Sequence, residues 1–265
     1  KDFNPSELTA RLSKYLAQLK AERELTWRRS ESATSSRRPM IIGNSPAMAE
    51  VLALARKVAS TPTTVLITGE SGTGKEVLAC YLHEQSERRL GPFIPIDLPA
   101  LPLEFVESTL FGRDEGGKQT PGRFELAEGG TVLLDEIADL SPQIQARILR
   151  VVEKREIERV GSSRSVPLDI RIICTTSQDL RAAVAKGSFR GDLYYRLNVQ
   201  PISLPPLRQR TEDLAALAAQ FLADFAQRHR RPSKSLSEEA GSTLRKYPWR
   251  GNVRELENLM ERLVI

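Results

Sequence analysis

Two cysteines and two histidines are all that the 265 residues offer of the softer metal ligands. Cys80 and Cys174 each lie in an apolar context, and no second ligand stands at a metal-binding spacing. A disulfide framework and a zinc site are therefore excluded, and a reducing, cytoplasmic setting fits. His83 and His229 are isolated and suggest no role. No apolar stretch nears the roughly 20 residues that span a bilayer, so no membrane partner is expected. Internal repeats are missing, and so is any block of like charge. The net charge of +5 is spread along the chain, compatible with nucleic acid but no demonstration of it.

What is present is a loop. Gly69–Glu76 reads GESGTGKE and follows the apolar run Thr64–Thr68, short enough for a buried parallel strand. Gly69, Gly72 and Gly74 let the backbone turn sharply and present its N–H groups, with Glu70, Ser71 and Thr73 between them. A helix starting near Lys75 aims its positive end at the same spot, and Lys75 adds a mobile charge. Such a loop holds a nucleotide triphosphate. A glycine-rich turn of another kind would look similar locally. Phosphate loops usually place Ser or Thr after the lysine to reach magnesium, and here Glu76 stands there.

A second string bears on that choice. Thr131–Leu134 is another buried-strand run, and it ends in Asp135-Glu136 about 60 residues beyond the loop. An acid at the C-terminal tip of a strand in an open α/β sheet faces the ligand crevice. Asp135 can hold Mg2+, and Glu136 can orient and deprotonate the water that attacks ATP. A solvated acidic pair at a strand end is the plainer alternative, and the spacing favours the ATPase.

From Met40 to about Pro205, strand-like and helix-like runs alternate. Strands are expected near Thr64–Thr68, Phe93–Asp97, Thr131–Asp135, Asp169–Thr175 and Gln200–Leu204. Helices are expected near Lys75–Arg89, Leu103–Leu110, Pro142–Glu153 and Asp179–Ala185. The pattern predicts an α/β fold, a mostly parallel sheet flanked by helices. Beyond Pro205-Pro206 the strand signals stop. Glu212–Arg228, Ser237–Lys246 and Asn252–Ile265 read as helices of a small α-helical subdomain. Upstream, Asn4-Pro5-Ser6-Glu7 is a helix start, and Leu8, Leu12, Tyr15, Leu16 and Leu19 follow at helical spacing. That stripe suits a short coiled coil or a docking face. The expected division is 1–29 (tail and linker helix), 30–39 (flexible linker), 40–205 (α/β ATPase part) and 206–265 (helical lid).

Ordered motifs across most of the chain resemble one family. They are Ile42–Met48, GESGTGKE, Glu107–Gly112 (ESTLFG), Gly122–Glu128 (GRFELAE), Leu133–Ile137 (LLDEI), Phe189–Leu197 (FRGDLYYRL), Leu204–Arg210 (LPPLRQR) and Trp249–Glu257 (WRGNVRELE). From about Ile41 to Ile265 the sequence resembles the AAA+ ATPase domain of bacterial enhancer-binding proteins, the activators of sigma-54 RNA polymerase. That family also carries Glu after its loop lysine. The resemblance implies a P-loop NTPase with a helical lid, working as a ring oligomer, a hexamer or heptamer, in a DNA-binding transcription activator. The DNA-binding helix-turn-helix is expected downstream. It places Ile42 and Gly43 with the loop among the nucleotide-binding residues. Arg190 and Arg196 match the pair that supplies arginine fingers to a neighbouring subunit. Six residues apart on one continuous helix, they would point about 240° apart unless the chain kinks at Gly191.

Three further positions follow from the resemblance. Arg254 matches the sensor arginine of the lid, or is an ordinary helix-start residue after a cap at Asn252. Thr176-Ser177 match the first sensor, where the family usually has Thr-Asn. Asp97 stands where an asparagine usually restrains the catalytic glutamate, and a carboxylate there is expected to repel Glu136. Lys1-Asp2-Phe3 and the following helix resemble the tail of a response-regulator receiver domain. That likeness implies a two-component sensory domain ahead of this chain, and the Leu8–Leu19 stripe is expected to hold an inactive dimer or to dock that domain.

One family hallmark is missing. Between Leu110-Phe111-Gly112 and Gly122-Arg123-Phe124 the family carries a GAFTGA loop whose tip touches sigma-54. Here Arg113–Pro121 is too short by about five residues, although both flanks keep register. The tip is missing from this sequence but present in the gene, deleted by design, or absent from a natural member that does not use sigma-54. Intact flanks favour the first two. The scaffold alternative is a nucleotide-binding regulator on DNA that does no mechanical work.

Overall fold

The computed structural model describes residues 43–116, 118–232 and 234–265. The expected Leu8–Leu19 helix, the receiver-like tail, the 30–39 linker and Ile42 lie outside the described residues.

Ser45 starts the first helix, α1 (Pro46–Ala59). Its hydroxyl accepts from Met48 N at 3.3 Å, and Pro46 fills a first-turn position that needs no N–H. Met48, Val51, Ala55 and Val58 recur at helical spacing and are buried. β1 (Val65–Thr68) leads through the glycine-rich loop into α2 (Lys75–Glu84). α2 ends five residues before the expected Arg89, because the Ser86 hydroxyl takes the His83 carbonyl at 2.7 Å and so competes with the helix. β2 (Phe93–Asp97) and α3 (Leu103–Phe111) follow. A hairpin of β3 (Arg113–Glu115) and β4 (Lys118–Thr120) then leads to the one-turn α4 (Arg123–Leu126) and β5 (Thr131–Asp135). α5 (Pro142–Lys154) repeats the serine–proline start at Ser141. A second hairpin pairs β6 (Glu156–Glu158) with β7 (Ser165–Pro167). β8 (Arg171–Thr176), α6 (Leu180–Ala185), α7 (Gly191–Leu197) and β9 (Gln200–Ser203) complete this part.

The five long strands form one parallel sheet in the order β2-β5-β8-β1-β9. The central strand β8 is buried at all six positions, as a strand covered on both faces must be. Proline appears only on the two edge strands, Pro95 on β2 and Pro201 on β9, where a missing N–H costs no ladder bond. Register then places the strand tips. Asp97 pairs with Asp135, Leu134 with Cys174, and Thr68 with Thr176. The acidic pair after β5 and the loop after β1 therefore flank the end of β8, at one end of the sheet.

The C-terminal part is helical: α8 (Leu214–His229), α9 (Glu238–Lys246) and α10 (Asn252–Val264). Its own core joins Leu207, Leu217, Phe225, Trp249, Leu256 and Met260. α8 starts two residues later than expected because Asp213 turns back. Its carboxylate accepts from Asn44 N at 2.6 Å, Ser45 N at 2.8 Å and Ser45 Oγ at 2.9 Å. This ties the start of α1 to the start of the helical part.

Candidate functional site

The loop closes on itself and on the sheet. Gly69 N donates to the Thr176 carbonyl at 3.3 Å, and Thr73 Oγ1 donates to the Glu70 carbonyl at 2.7 Å. Gly74, at φ 99°, turns the chain through the left-handed region into α2. Lys75 is buried at 6% exposure, and its ammonium donates to the Gly69 carbonyl at 3.1 Å. The same ammonium lies 2.9 Å from Glu136 Oε1, across the end of β8.

Glu136 follows the last residue of β5, in the left-handed region at φ 55°. That conformation turns its carboxylate toward the loop. Ser177 N donates to Oε2 at 2.7 Å and Ser177 Oγ donates at 2.9 Å. Burial alone would raise this carboxyl, but Lys75 and the two Ser177 donors outweigh it and hold it below its ordinary value. Asp135 is the opposite case. Burial pushes its carboxyl up, against a hydrogen bond from Thr175, and the charges of Glu136 and Asp97 add to the rise. Glu76 is raised too, by its crowded surroundings first and then by Asp135 and Asp97.

Two expectations need correction here. The first concerns the threonine. Side chains alternate along a strand, so Thr175 and Ser177 share a side and Thr176 points away. Thr175 Oγ1 donates to Asp135 Oδ1 and accepts from Glu136 N at 3.0 Å. Thr176 Oγ1 instead accepts from Gln178 N at 3.0 Å. The second concerns Asp97. β2 pairs directly with β5, so its tip lies beside Asp135, and the Asp97 charge raises the carboxyls of Asp135 and Glu76. Ser177, where the family usually has an asparagine, gives Glu136 two donors, its backbone N–H and its hydroxyl.

The helical part grips the loop from its carbonyl side. Gly72 is at φ 76°, and a Cβ there would meet the Gly251 carbonyl oxygen at 2.4 Å. Val253 N and Arg254 N both donate to the Gly72 carbonyl, at 2.9 and 3.3 Å. Arg254 Nη1 donates to Ser71 Oγ at 3.1 Å, so the expected sensor arginine stands beside the loop. Asn252 does not cap α10: Gly251 holds that position, and Asn252 is fully buried at the first helical residue. Its amide nitrogen donates to Glu70 Oε2 at 3.1 Å and the Ser71 carbonyl at 3.0 Å, while its oxygen accepts from Leu207 N at 2.9 Å. Arg208, just before the helical part, forks onto Glu70 at 2.8 and 2.6 Å. Buried Arg210 donates to the Thr73 carbonyl at 2.6 Å. In the sequence Asn252 stood out only as a helix cap, and Arg208 and Arg210 only as members of the Leu204–Arg210 motif.

The arginine pair sits apart from this cleft. Arg190 lies just ahead of α7, not inside it, so the two residues do not share one continuous helix. Arg190 is exposed and paired with Asp192 at 2.7 Å, and Arg196 is exposed and paired with Glu153 at 2.8 Å. Both look outward from the subunit. Of the histidines, His83 is buried against Thr131, and His229 pairs with Glu261 at 3.1 Å. Among the described residues, no three His, Cys, Asp or Glu side chains converge to hold a metal by themselves, and no helix is long and apolar enough to cross a membrane.

Residues 41–203 match the model of the sigma-54 interaction domain, and residues 208–265 match that of an AAA+ ATPase lid domain. The chain belongs to the sigma-54 interaction domain family. Relatives of this AAA+ ATPase domain are transcription regulators. The response regulator protein FleR of Pseudomonas aeruginosa is 48% identical over 225 residues, 83% of this chain and 48% of FleR. The DNA-binding transcriptional regulator NtrC of Azospirillum brasilense is 47% identical over 84% of this chain and 47% of its own length. The transcriptional regulatory protein ZraR of Escherichia coli is 46% identical over 85% of this chain and 52% of its own. The chain thus spans about half the length of these relatives. Among solved structures, NtrX from Brucella abortus in complex with ADP superposes with a TM-score of 0.82 at 35% identity, covering 100% of this chain and 59% of that one. NtrX in complex with ATP also gives 0.82. Yeast Hsp104, with a TM-score of 0.60 at 18% identity over 81% of this chain and 43% of its own, shares the fold alone.

Proposed function

We propose that this domain binds ATP in the Gly69–Glu76 loop and hydrolyses it within a ring of subunits, as the motor of a sigma-54-dependent transcription activator. The observation that carries the reading is the Lys75–Glu136–Ser177 constellation beside Asp135 at the strand tips. Arriving phosphates meet the loop's N–H groups and compete with Glu136 for Lys75. Glu136 is then left to Ser177 alone, ionised and free to take a proton from water. Arg254 is placed to follow the phosphate from the lid. Arg190 and Arg196, outward-facing, complete a neighbour's site. The family resemblance adds Gly43 and Ile42, which precede α1 in the sequence, to the nucleotide-binding residues.

The acids suit a divalent cation. Burial raises both carboxyls, and the charge of Asp135 raises that of Glu76 further, a repulsion that a cation relieves. Mg2+ is held by one or two carboxylates together with phosphates, and Asp135 with Glu76 beside it supplies that number. When bound, the ion supplies charge neutralisation at the phosphate oxygens; Asp135 would hold it, with Glu76 beside. We further assign 1–29 to a tail and linker helix, 30–39 to a linker, 40–205 to the ATPase part and 206–265 to the lid.

A second reading is favoured by one observation. The family's sigma-54 contact would rise from the β3–β4 hairpin, and here two three-residue strands are joined by two glycines, 116 and 117. So short a hairpin fits a nucleotide-binding regulator that holds DNA without engaging sigma-54.

The test of the main reading is a titration with labelled ATP and Mg2+. Lys75→Ala is expected to weaken binding strongly. Glu136→Gln is expected to bind like the wild type yet turn over about a hundredfold more slowly or worse, the scale of a lost general base. Equal affinities for wild type and Lys75→Ala would remove the assignment.

A further inference from the structure

The phosphate loop has two sides, and the lid holds the one that phosphate does not use. In the proposed site, phosphate takes loop N–H groups other than those of Gly69 and Thr73, which donate to the Thr176 and Glu70 carbonyls. The loop's carbonyls are taken by lid donors in succession: Ser71 by Asn252, Gly72 by Val253 and Arg254, and Thr73 by Arg210. At the front, the Glu70 carboxylate receives both terminal guanidinium nitrogens of Arg208 and the amide of Asn252. We propose that Glu70, Arg208 and Asn252 form a latch that fixes the lid against the phosphate loop and couples lid position to nucleotide occupancy. They act as positioning residues through their side chains, although the Glu70 backbone is part of the nucleotide-binding loop. The proposal rests on the nucleotide-site reading above and deepens it.

The physical reason lies in shared peptide units. A phosphate bound by a loop N–H polarises that peptide and makes its carbonyl a better acceptor. The lid donors on those carbonyls then hold more tightly, so occupancy is felt at the start of α10 even without a direct arginine contact. Asn252 is built for this. It is fully buried, spends both ends of its amide on the joint, and bridges the loop to Leu207 at the root of the lid. The Glu70–Arg208 fork is half exposed, so it can open without breaking a core. Arg208 and Asn252 hold the Glu70 carboxyl down at about 2, so the fork stays charged at any pH the cell meets.

The experiment is a double-mutant cycle on Glu70→Gln, Arg208→Gln and the pair together, with Arg208→Lys as the conservative variant. Amide hydrogen exchange of Val253 and Arg254 is measured without nucleotide and with ADP, alongside release of labelled ADP. Each single variant is expected to exchange faster at both amides. Each is also expected to release ADP about fivefold faster or more, the scale of a site-to-site coupling. The double variant is expected to go no further than either single, and Arg208→Lys to fall between. Unchanged exchange at Val253 and Arg254 in both singles would overturn the latch, as would strictly additive effects. If the wild type binds no ADP, the nucleotide-site reading fails. The nucleotide-free exchange still decides the latch in that case.

Discussion

Glu136 is held by a residue one position past the end of a different strand, β8. Ser177 gives it two donors, and those donors with Lys75 keep it ionised despite its burial. Once Lys75 turns to phosphate, Ser177 carries more of that task. Ser177→Ala removes one of the two donors and leaves the backbone N–H. A hydrogen bond to a charged group contributes about 1.5–3 kcal/mol, so kcat is expected to fall about tenfold with KM little changed. Because the group's carboxyl is held low, its active ionised form persists into acid. Losing the donor raises it, so the acid limb of the pH–rate profile moves to higher pH. An unchanged kcat and an unmoved limb would show that Ser177 does not position the base. Lys75, Asp135 and Glu136 were legible in the sequence because each sits in a short local string that implies its surroundings. Thr175 was passed over for its neighbour, though strand alternation alone distinguishes them. Asn252 could not be found locally, since its Glu70 partner lies 182 residues away.

At the scale of elements, the five main strands were legible to within two residues, because buried parallel strands are continuous apolar runs. α1 was missed although Asn44-Ser45-Pro46 carries the same start signal as Asn4-Pro5. The hairpins β3–β4 and β6–β7 were missed for a physical reason: three residues are too few to show a period of two. α7 was obscured by the arginines that drew attention to it. The lid depends on its own small core, where Leu256 is fully buried between α8 and α10. Leu256→Ala is expected to destabilise the lid by about 2–5 kcal/mol through lost burial and the cavity left behind. Denaturant unfolding followed at Trp249, which shares that core, measures it. A loss under about 1 kcal/mol would mean that the lid collapses around the gap and is not packed as described.

At the scale of the whole molecule, the proposed nucleotide site, the exposed arginine pair and the hairpin where the family resemblance puts the sigma-54 contact are separate parts. The parts can therefore fail separately. The shortened hairpin predicts that this sequence binds ATP but does not hold sigma-54 in a pull-down with a transition-state nucleotide analogue. Restoring about five residues of family loop between Gly116 and Gly117 is expected to recover the interaction. Capture by the short hairpin would refute the loop argument, and failure of both would put the scaffold reading first. The central claim is that one subunit's base works with a neighbour's arginine. Specific ATPase activity against protein concentration tests it most directly. The account predicts that activity per subunit climbs as assembly proceeds, and that mixing Glu136→Gln subunits with Arg190→Ala/Arg196→Ala subunits, each inactive alone, restores part of it. Activity that stays flat down to demonstrable monomer, with no gain on mixing, would contradict the account.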